Sequence, residues 1–186
     1  MPPSTPTPPP PSGATARRRT RAVLEQLARP VAPRFEGRVV LVSGGGSGIG
    51  AAVALRVSAE GGAVAIADKR VDGARSVAQQ ITTAGGEAMA LACDVAAEEE
   101  VKRAVGATVR RFGGIDAVFS SAGTAPPTGW LHEMAAADFE AVLRINLVGT
   151  FLVAKHALPH MMQRGRGSFV STGTSAFRLG PGAMRD

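Results

Sequence analysis

The chain has 186 residues, of which 45% are hydrophobic and 19% charged, a composition typical of a folded domain with its own core. In residues 1–38, seven arginines and two acids account for +5 of the formal charge of +6 and leave +1 for the remainder. This distribution disfavours a nucleic-acid-binding surface on the folded part, although an arginine-rich tail could touch nucleic acid or anionic lipid. The single cysteine, Cys93, excludes an intramolecular disulfide.

Residues 1–36 are rich in proline and arginine, and nine of the thirteen prolines lie within residues 1–38. Such a composition predicts a disordered arm, locally in polyproline II. The arm lacks the apolar core of a secretory signal, and no apolar run approaches the roughly 20 residues needed to cross a bilayer. We expect no membrane association and a cytoplasmic protein. Organelle import through the arginine-rich N-terminus stays open as an alternative.

From Gly37 onward, short apolar runs alternate with amphipathic stretches. The apolar runs have no polar face, which is typical of strands in a parallel sheet covered on both sides. The stretches between them are interpreted as crossover helices. We therefore predict that residues 37–186 form an α/β domain, a Rossmann-like, doubly wound parallel sheet. The predicted strands are 38–42, 63–67, 88–92, 115–119 and 168–171, and the predicted helices are 47–59, 73–84, 98–112 and 136–164.

A glycine-rich turn follows the first predicted strand, with the sequence SGGGSGIG at residues 43–50. Glycine allows a backbone with positive φ and lets a pyrophosphate approach without a Cβ in the way. The N–H groups that begin the next helix can then bind phosphate, helped by the helix dipole. A tight turn without a ligand is the alternative. We interpret the turn as a phosphate-binding loop because a strand precedes it and a helix follows it.

Asp68 closes the second predicted strand, where a carboxylate can accept hydrogen bonds from ribose hydroxyls and repel a 2′-phosphate. A solvated acid that caps a turn is the alternative. Lys69 and Arg70 follow at once, and either could neutralise a 2′-phosphate. The residue before Gly48 is Ser47 and not an arginine, so we favour NAD over NADP.

Asp94 ends the third predicted strand, where its side chain could accept a hydrogen bond from an adenine amino group. It could equally be the N-cap of the following helix. The sequence alone does not separate these two interpretations.

Two histidines, His156 and His160, lie four residues apart on the last predicted helix, a spacing that can bind a metal ion. No third ligand is evident, so we expect a solvated helix end and no metal site. Trp130, in the loop before that helix, is expected to pack against the protein and not to contact substrate.

Several segments, taken in order, resemble the short-chain dehydrogenase/reductase family over about residues 37–186. They are SGGGSGIG at 43–50, Asp68, CDV at 93–95, FGGID at 112–116, SSAG at 120–123, RINLVGTF at 144–151 and GSFV at 167–170. The resemblance implies an NAD(P)-dependent oxidoreductase that transfers hydride between a secondary alcohol or ketone and the nicotinamide. It also implies a small-molecule alcohol or carbonyl substrate and, for an intact member, a homo-oligomer.

The resemblance assigns the cofactor contacts to the glycine-rich turn and to the ends of the next three strands. These positions are Ser43, Gly44, Ser47, Gly48, Ile49, Gly50, Asp68, Lys69, Asp94, Val95, Ser121, Ala122 and Gly123. The family's Asn-Asn-Ala-Gly after the fourth strand reads SSAG here. Backbone contact to the cofactor can persist, but we expect the side-chain amide that ties neighbouring strands to be lost.

In this family a Tyr is the general acid/base, a Lys four residues later lowers its pKa, a Ser orients the substrate oxygen and an Asn supports a proton relay. Asn146 matches the family Asn, with a polar helix residue that bonds to backbone as the alternative. The Ser position falls on Thr174 without a gap, or on Ser175 after a slip of one residue. Ordinary hydroxyl-rich loop chemistry is the alternative for both.

The chain contains no tyrosine. The family Tyr would fall just beyond Asp186, together with its Lys. We therefore expect a domain truncated after about five strands, poorly soluble or partly molten, with weak or no catalysis and without the oligomer of the intact family. The alternative function is a non-catalytic NAD-binding or subunit-interaction module.

Overall fold

The computed structural model describes residues 32–125 and 130–173, so most of the predicted arm lies outside the described residues. The described part forms a five-stranded sheet with helices on both faces. Its strands are β1 Val39–Ser43, β2 Ala63–Asp68, β3 Ala88–Ala92, β4 Ala117–Ser120 and β5 Ser168–Ser171. The strand order is β3-β2-β1-β4-β5, and every neighbouring pair runs parallel. The predicted Rossmann-like, doubly wound α/β fold is confirmed.

The helices are α1 Gly48–Ala59, α2 Val71–Thr83, α3 Glu98–Phe112, α4 Ala136–Leu143 and α5 Thr150–Gln163, with a short 3₁₀ turn at Leu131–Glu133. The predicted helix 136–164 is one continuous helical run, but Arg144–Gly149, between α4 and α5, is π-helical. A π-helical segment widens the turn through i→i+5 hydrogen bonds. The periodicity of apolar residues does not reveal such a local change.

Predicted and observed boundaries differ by one or two residues at six elements, and β1, β4 and α2 differ at both ends. β1 lies one residue later than predicted and includes Ser43, β4 begins at Ala117, and α2 begins earlier, at Val71. The residues just before β4 still approach β1, because the Asp116 N–H donates to the Val39 carbonyl at 2.8 Å.

Two apolar clusters fill the space between the sheet and its helices. Successive residues of a strand point to opposite faces, so Leu41 of β1 joins one cluster while Val40 and Val42 join the other. The first cluster packs against α3 and α5, and the second packs against α1 and α2. All five residues of β1 are buried. This burial explains why the strand is apolar without alternation.

The helical run Ala136–Gln163 is 28 residues long and is apolar enough, by length and composition, to cross a membrane. This finding corrects the expectation that no apolar segment approaches that length. Part of the run is nevertheless a core helix of the sheet domain, because α5 buries Leu152, Val153, Ala157 and Met161. The run also carries six large apolar side chains that are exposed, which are Phe139, Leu143, Leu147, Phe151, Leu158 and Met162.

Asp116 is a buried acid at the amino-terminal edge of the sheet, with a side chain that is 5% exposed. Its Oδ2 accepts hydrogen bonds from the Val39 N–H (2.9 Å) and from Arg164 Nη1 (2.6 Å), and its Oδ1 accepts one from Arg166 Nε (2.8 Å). Burial opposes ionisation of this carboxyl, but the hydrogen bonds and the two positive charges hold its pKa below the ordinary value. One carboxylate thereby joins β1, β4 and the segment before β5.

Glu60 follows α1, and its charged side chain is fully covered. Arg34 donates two hydrogen bonds to it, from Nε to Oε2 at 2.5 Å and from Nη2 to Oε1 at 2.6 Å. Arg56 adds a third, from Nε to Oε1 at 2.6 Å. The Arg34 hydrogen bond lowers the pKa of Glu60 to about 2, because with the help of Arg56 it outweighs the effect of burial. These bonds hold the segment before β1 against the end of α1.

Replacing Asp116 by Asn is expected to lower the free energy of unfolding by about 2–3 kcal/mol, because three arginines lose a buried, charged acceptor. Urea denaturation followed by circular dichroism measures the change. The matched control is Asp72→Asn, because Asp72 is exposed on α2 and pairs with Arg75 of the same helix. We expect the control to change the free energy of unfolding by at most about 0.5 kcal/mol. Equal midpoints for the two variants would contradict a stabilising role for Asp116.

The stability that Glu60 contributes is expected to disappear in acid. Its pKa is about 2 in the folded protein against an ordinary value of 4.5, so the contribution is fully present above about pH 5 and is lost as the pH falls towards 2. The urea midpoints of the wild type and of Glu60→Gln should therefore differ most near about pH 7 and converge near about pH 2. A difference that stays constant over this range would show that the ionised carboxylate is not what stabilises the fold.

Candidate functional site

A cavity of about 350 Å³ opens at the carboxyl-terminal edge of the sheet, where β1, β2, β3 and β4 end. The strand order reverses at β1, because the chain runs outwards to β3 and then returns to β4 on the other side. Ligands of open α/β sheets bind in the crevice at such a point. The predicted cofactor residues in its lining are Gly44, Ser47, Asp68, Lys69, Asp94, Val95, Ser121, Ala122 and Gly123. Those outside the lining are Ser43, Gly48, Ile49 and Gly50.

A larger cleft of about 800 Å³ lies at the opposite, amino-terminal edge of the sheet, next to Arg38, Gly61 and Gly86. It contains none of the predicted site residues. We take the smaller cavity as the candidate site, because it combines the topological switch point with the glycine-rich turn and the acidic strand ends.

The turn at residues 44–50 is packed so closely that neither Gly44 nor Gly50 has room for a side chain. Gly44 has φ +67°, and a Cβ there would lie 2.5 Å from the Ala122 nitrogen. A Cβ on Gly50 would collide with the Gly44 carbonyl oxygen. Gly48, which has φ +54°, begins α1, and a Cβ there would meet nothing within 4 Å. The turn is therefore tight on the protein side and open where α1 begins, an arrangement that fits a phosphate group.

Both carboxylate oxygens of Asp68 accept hydrogen bonds from backbone N–H groups. Oδ2 accepts from Gly46 at 2.9 Å, and Oδ1 accepts from Arg70 at 2.9 Å. The bond to Arg70 is the turn-capping role that the sequence left open, and the bond to Gly46 joins the end of β2 to the glycine-rich turn. Each oxygen has a further lone pair, and Asp68 lines the cavity. Its carboxylate can therefore still accept a ligand hydroxyl.

Lys69 and Asp94 form an ion pair in the lining of the cavity, with Nζ 2.7 Å from Oδ2. The hydrogen bond to Asp94 raises the pKa of Lys69, and the same bond lowers the pKa of Asp94. The other oxygen of Asp94 accepts the Ala96 N–H at 3.0 Å. Because α3 begins at Glu98 with Ala97 as its N-cap, the interpretation of Asp94 as the N-cap is wrong.

Hydroxyl groups connect β1, β4 and α5 at this edge of the sheet. Ser43 Oγ donates to Ser120 Oγ at 3.3 Å, and Ser120 Oγ lies 3.4 Å from Thr150 Oγ1. The side-chain amide that the family carries here is absent, as expected, and the Ser120 hydroxyl connects the neighbouring strands in its place. Ser43 is itself buried, so the structure gives it a position that supports the turn and does not line the cavity.

Asn146 lies in the π-helical segment and holds the loop after β4. Its Oδ1 accepts the Thr124 N–H at 2.8 Å, and its Nδ2 donates to the Thr124 carbonyl at 2.9 Å. The carbonyl of Asn146 accepts a hydrogen bond from Thr150 Oγ1 at 2.8 Å. The side chain thus has the backbone-bonding role that the sequence left open as the alternative. It positions Thr124, which lines the cavity.

The predicted substrate-side residues Thr174 and Ser175 lie outside the described residues. His156 Nε2 pairs with Glu98 Oε1 at 2.9 Å and so connects α5 to α3. Within residues 32–125 and 130–173, no group of three or more metal ligands occurs. Trp130 is exposed and stacks on a neighbouring histidine ring.

Four lining residues were not predicted as site residues, namely Arg70, Cys93, Thr124 and Ile145. Thr124 directly follows the SSAG segment, and this adjacency is the signal that could have identified it. Burial raises the pKa of the Cys93 thiol to about 12, so the thiol is protonated at neutral pH. The position of Ile145 depends on the π-helical segment, which no sequence pattern indicated.

A family model described as short chain dehydrogenase matches residues 38–183. Among curated proteins, the chain is 37% identical to L-fucose dehydrogenase of Bos taurus over 147 residues, which cover 79% of this chain and 53% of that protein. It is 37% identical to secoisolariciresinol dehydrogenase of Forsythia intermedia over 163 residues, which cover 87% of this chain and 58% of that protein. The chain spans about half the length of the curated relatives that it matches.

Solved structures match the same part of the chain. Levodione reductase matches with a TM-score of 0.73 at 37% identity, over 76% of this chain and 55% of that one. A 7α-hydroxysteroid dehydrogenase complexed with NADH and 7-oxo glycochenodeoxycholic acid matches with a TM-score of 0.74 at 27% identity, over 78% of this chain and 56% of that one. Because the family model covers most of its length and the cavity carries the expected strand-end residues, the chain belongs to the short-chain dehydrogenase family.

Proposed function

We propose that this chain is the cofactor-binding part of an NAD-dependent oxidoreductase, which transfers hydride between a small secondary alcohol or ketone and the nicotinamide. The observation that carries the proposal is the hydrogen bond from the Gly46 N–H to Asp68 at 2.9 Å. It brings a turn that fits phosphate and a carboxylate that can bind ribose to one cavity. The solved relative that holds NADH supports the same class of cofactor.

The chain's own residues would bind the pyrophosphate, ribose and adenine groups of the cofactor, which take no part in the reaction. The N–H groups at the start of α1 carry partial positive charge and would bind the pyrophosphate, for which Gly48 leaves room. The Asp68 carboxylate would accept hydrogen bonds from the ribose hydroxyls. Asp94 would lie at the adenine end, where a carboxylate oxygen can accept an amino hydrogen. When bound, the nicotinamide supplies the hydride transfer itself.

Charge at the end of β2 favours NAD over NADP. The Asp68 carboxylate lines the cavity and repels a 2′-phosphate, because both groups are negative. Lys69, the next residue, is paired with Asp94, so its positive charge is already balanced. We therefore propose NAD as the cofactor.

The residues of this chain do not include the group that transfers the proton in this family. Its 186 residues include no tyrosine, whereas the general acid/base of this family is a Tyr. Thr174 or Ser175 would orient the substrate oxygen, and Asn146 would hold the loop at Thr124. A positioned proton donor contributes about 10²–10⁴-fold to such a reaction. We accordingly propose that the chain binds cofactor with weak or no turnover.

A second candidate function is a non-catalytic NAD-binding or subunit-interaction module. The observation that favours it is the set of exposed apolar side chains on the run Ala136–Gln163, among them Leu147, Phe151 and Met162. Extended apolar surface on a folded protein marks an interaction site. This candidate predicts a folded protein that binds NAD and a partner subunit without any turnover.

NAD is expected to bind the 186-residue chain in a calorimetric titration, because the phosphate-binding turn and Asp68 are both present. Turnover of secondary alcohols should stay at least about 100-fold below that of a complete relative assayed alongside, because no tyrosine is present. A folded chain that fails to bind NAD would overturn the proposed function. Turnover equal to that of the relative would overturn the proposed role of the missing proton donor.

Asp68→Asn is expected to weaken NAD binding about tenfold, because the ribose hydroxyls lose a charged acceptor. NADP binding should weaken less, because the repulsion of the 2′-phosphate is relieved. Calorimetric titration with each nucleotide gives the ratio of the two dissociation constants. Asp72→Asn, at the exposed start of α2, is the matched control. If both variants changed the ratio equally, the effect would come from net charge and not from the position of Asp68.

A further inference from the structure

We propose that Asp94 is a positioning residue for cofactor specificity: by holding the Lys69 ammonium, it keeps that charge away from the ribose 2′ position and so lowers the affinity for a 2′-phosphorylated nucleotide. The inference rests on the proposed nucleotide site. It gives Asp94 a role that acts through Lys69 and that is separate from any contact between Asp94 and the adenine.

Lys69 is a cation that could meet a 2′-phosphate, because it directly follows Asp68 at the end of β2 and lines the cavity. Its side chain is 74% exposed, so the flexible four-carbon stem has several directions open to it. In the structure its Nζ lies 2.7 Å from Asp94 Oδ2, and both residues line the same cavity. The ion pair thus connects the end of β2 to the segment that follows β3.

Asp94 is the fixed member of the pair. Its Oδ1 accepts the Ala96 N–H at 3.0 Å, and its own N–H donates to Glu100 Oε2 at 2.9 Å. The first bond orients the side chain so that Oδ2 meets the ammonium, and the second holds the backbone of Asp94. The positive charge of Arg144 also helps to lower the pKa of Asp94, and the negative charge of Glu100 helps to raise the pKa of Lys69. The direct contact of 2.7 Å is the strongest of these interactions, because the energy of a charge pair falls with distance.

The effect on binding follows from the balance of charge. While the pair is closed, a 2′-phosphate meets the Asp68 carboxylate without compensation from Lys69. When the pair opens, the ammonium can turn towards the phosphate as a compact positive charge. An Asn at position 94 retains the shape of the side chain and an acceptor for the Ala96 N–H, but it removes the charge that holds Lys69.

The experiment titrates the 186-residue chain with 5′-AMP and with adenosine 2′,5′-bisphosphate, two probes that differ only in the 2′-phosphate. Calorimetry at low ionic strength, where charge pairs are least screened, compares the wild type, Asp94→Asn, Lys69→Met and the double variant. Asp72→Asn controls for the loss of one negative charge from an exposed site. The measured quantity is the ratio of the two dissociation constants.

We expect Asp94→Asn to shift this ratio towards the bisphosphate by about fivefold, which is the size of the effect of one exposed ion pair. In the Lys69→Met background, the same substitution should leave the ratio unchanged, because the ammonium through which Asp94 acts is gone. The Asp72→Asn control should also leave it unchanged.

An unchanged ratio in Asp94→Asn overturns the inference, and if 5′-AMP still binds, the proposed function stands without it. A shift that persists in the Lys69→Met background also overturns it, because Asp94 would then repel the phosphate directly or act through Arg70, which lines the same cavity. If the folded wild type binds neither probe and no NAD, the proposed function fails and the inference fails with it.

Discussion

The candidate site depends on how closely the backbone approaches itself at the end of β1. Gly44 lies against Ala122 in the segment after β4, and Gly50 lies against Gly44, at distances that a Cβ would not allow. With the turn held in this position, the Gly46 N–H reaches the Asp68 carboxylate at the end of β2. The ends of three neighbouring strands therefore meet around one cavity because the backbone carries no side chains where they converge.

Charged groups have different partners at the two edges of the sheet. At the amino-terminal edge, Asp116 and Glu60 are buried, and Asp116 pairs with three arginines and Glu60 with two, so their charges are compensated within the fold. At the carboxyl-terminal edge, Asp68 is bound by backbone N–H groups and its carboxylate still lines the cavity. An uncompensated buried charge is costly. The acids of the first edge therefore stabilise the fold, whereas the second edge keeps a carboxylate accessible to a ligand.

The sequence predicted all five described strands. Burial on both faces explains the apolar character of β1 and β2, whereas β5 is mostly exposed at the edge of the sheet. Two kinds of detail were not predicted. Some depend on hydrogen bonds between residues that are distant in the chain, and others depend on a hydrogen-bond pattern that does not change the spacing of apolar residues. The π-helical segment Arg144–Gly149 is one example, since its i→i+5 bonds are compatible with the same apolar residues. The hydroxyl contact between Ser43 and Ser120 is another, because two short polar residues 77 positions apart give no pairing signal.

By itself, the sequence determined the fold class and the places of the glycine-rich turn and the acidic strand ends, because these follow from local composition and spacing, and its motifs showed the resemblance to the family. Only the tertiary structure decided which groups those side chains meet: that Asp68 accepts the Gly46 N–H, and that Lys69 pairs with Asp94. The physical reason is the short range of these interactions. Hydrogen bonds and ion pairs act over a few ångströms, and residues 22 positions apart, such as Gly46 and Asp68, come within that distance only when β1 and β2 lie side by side in parallel register.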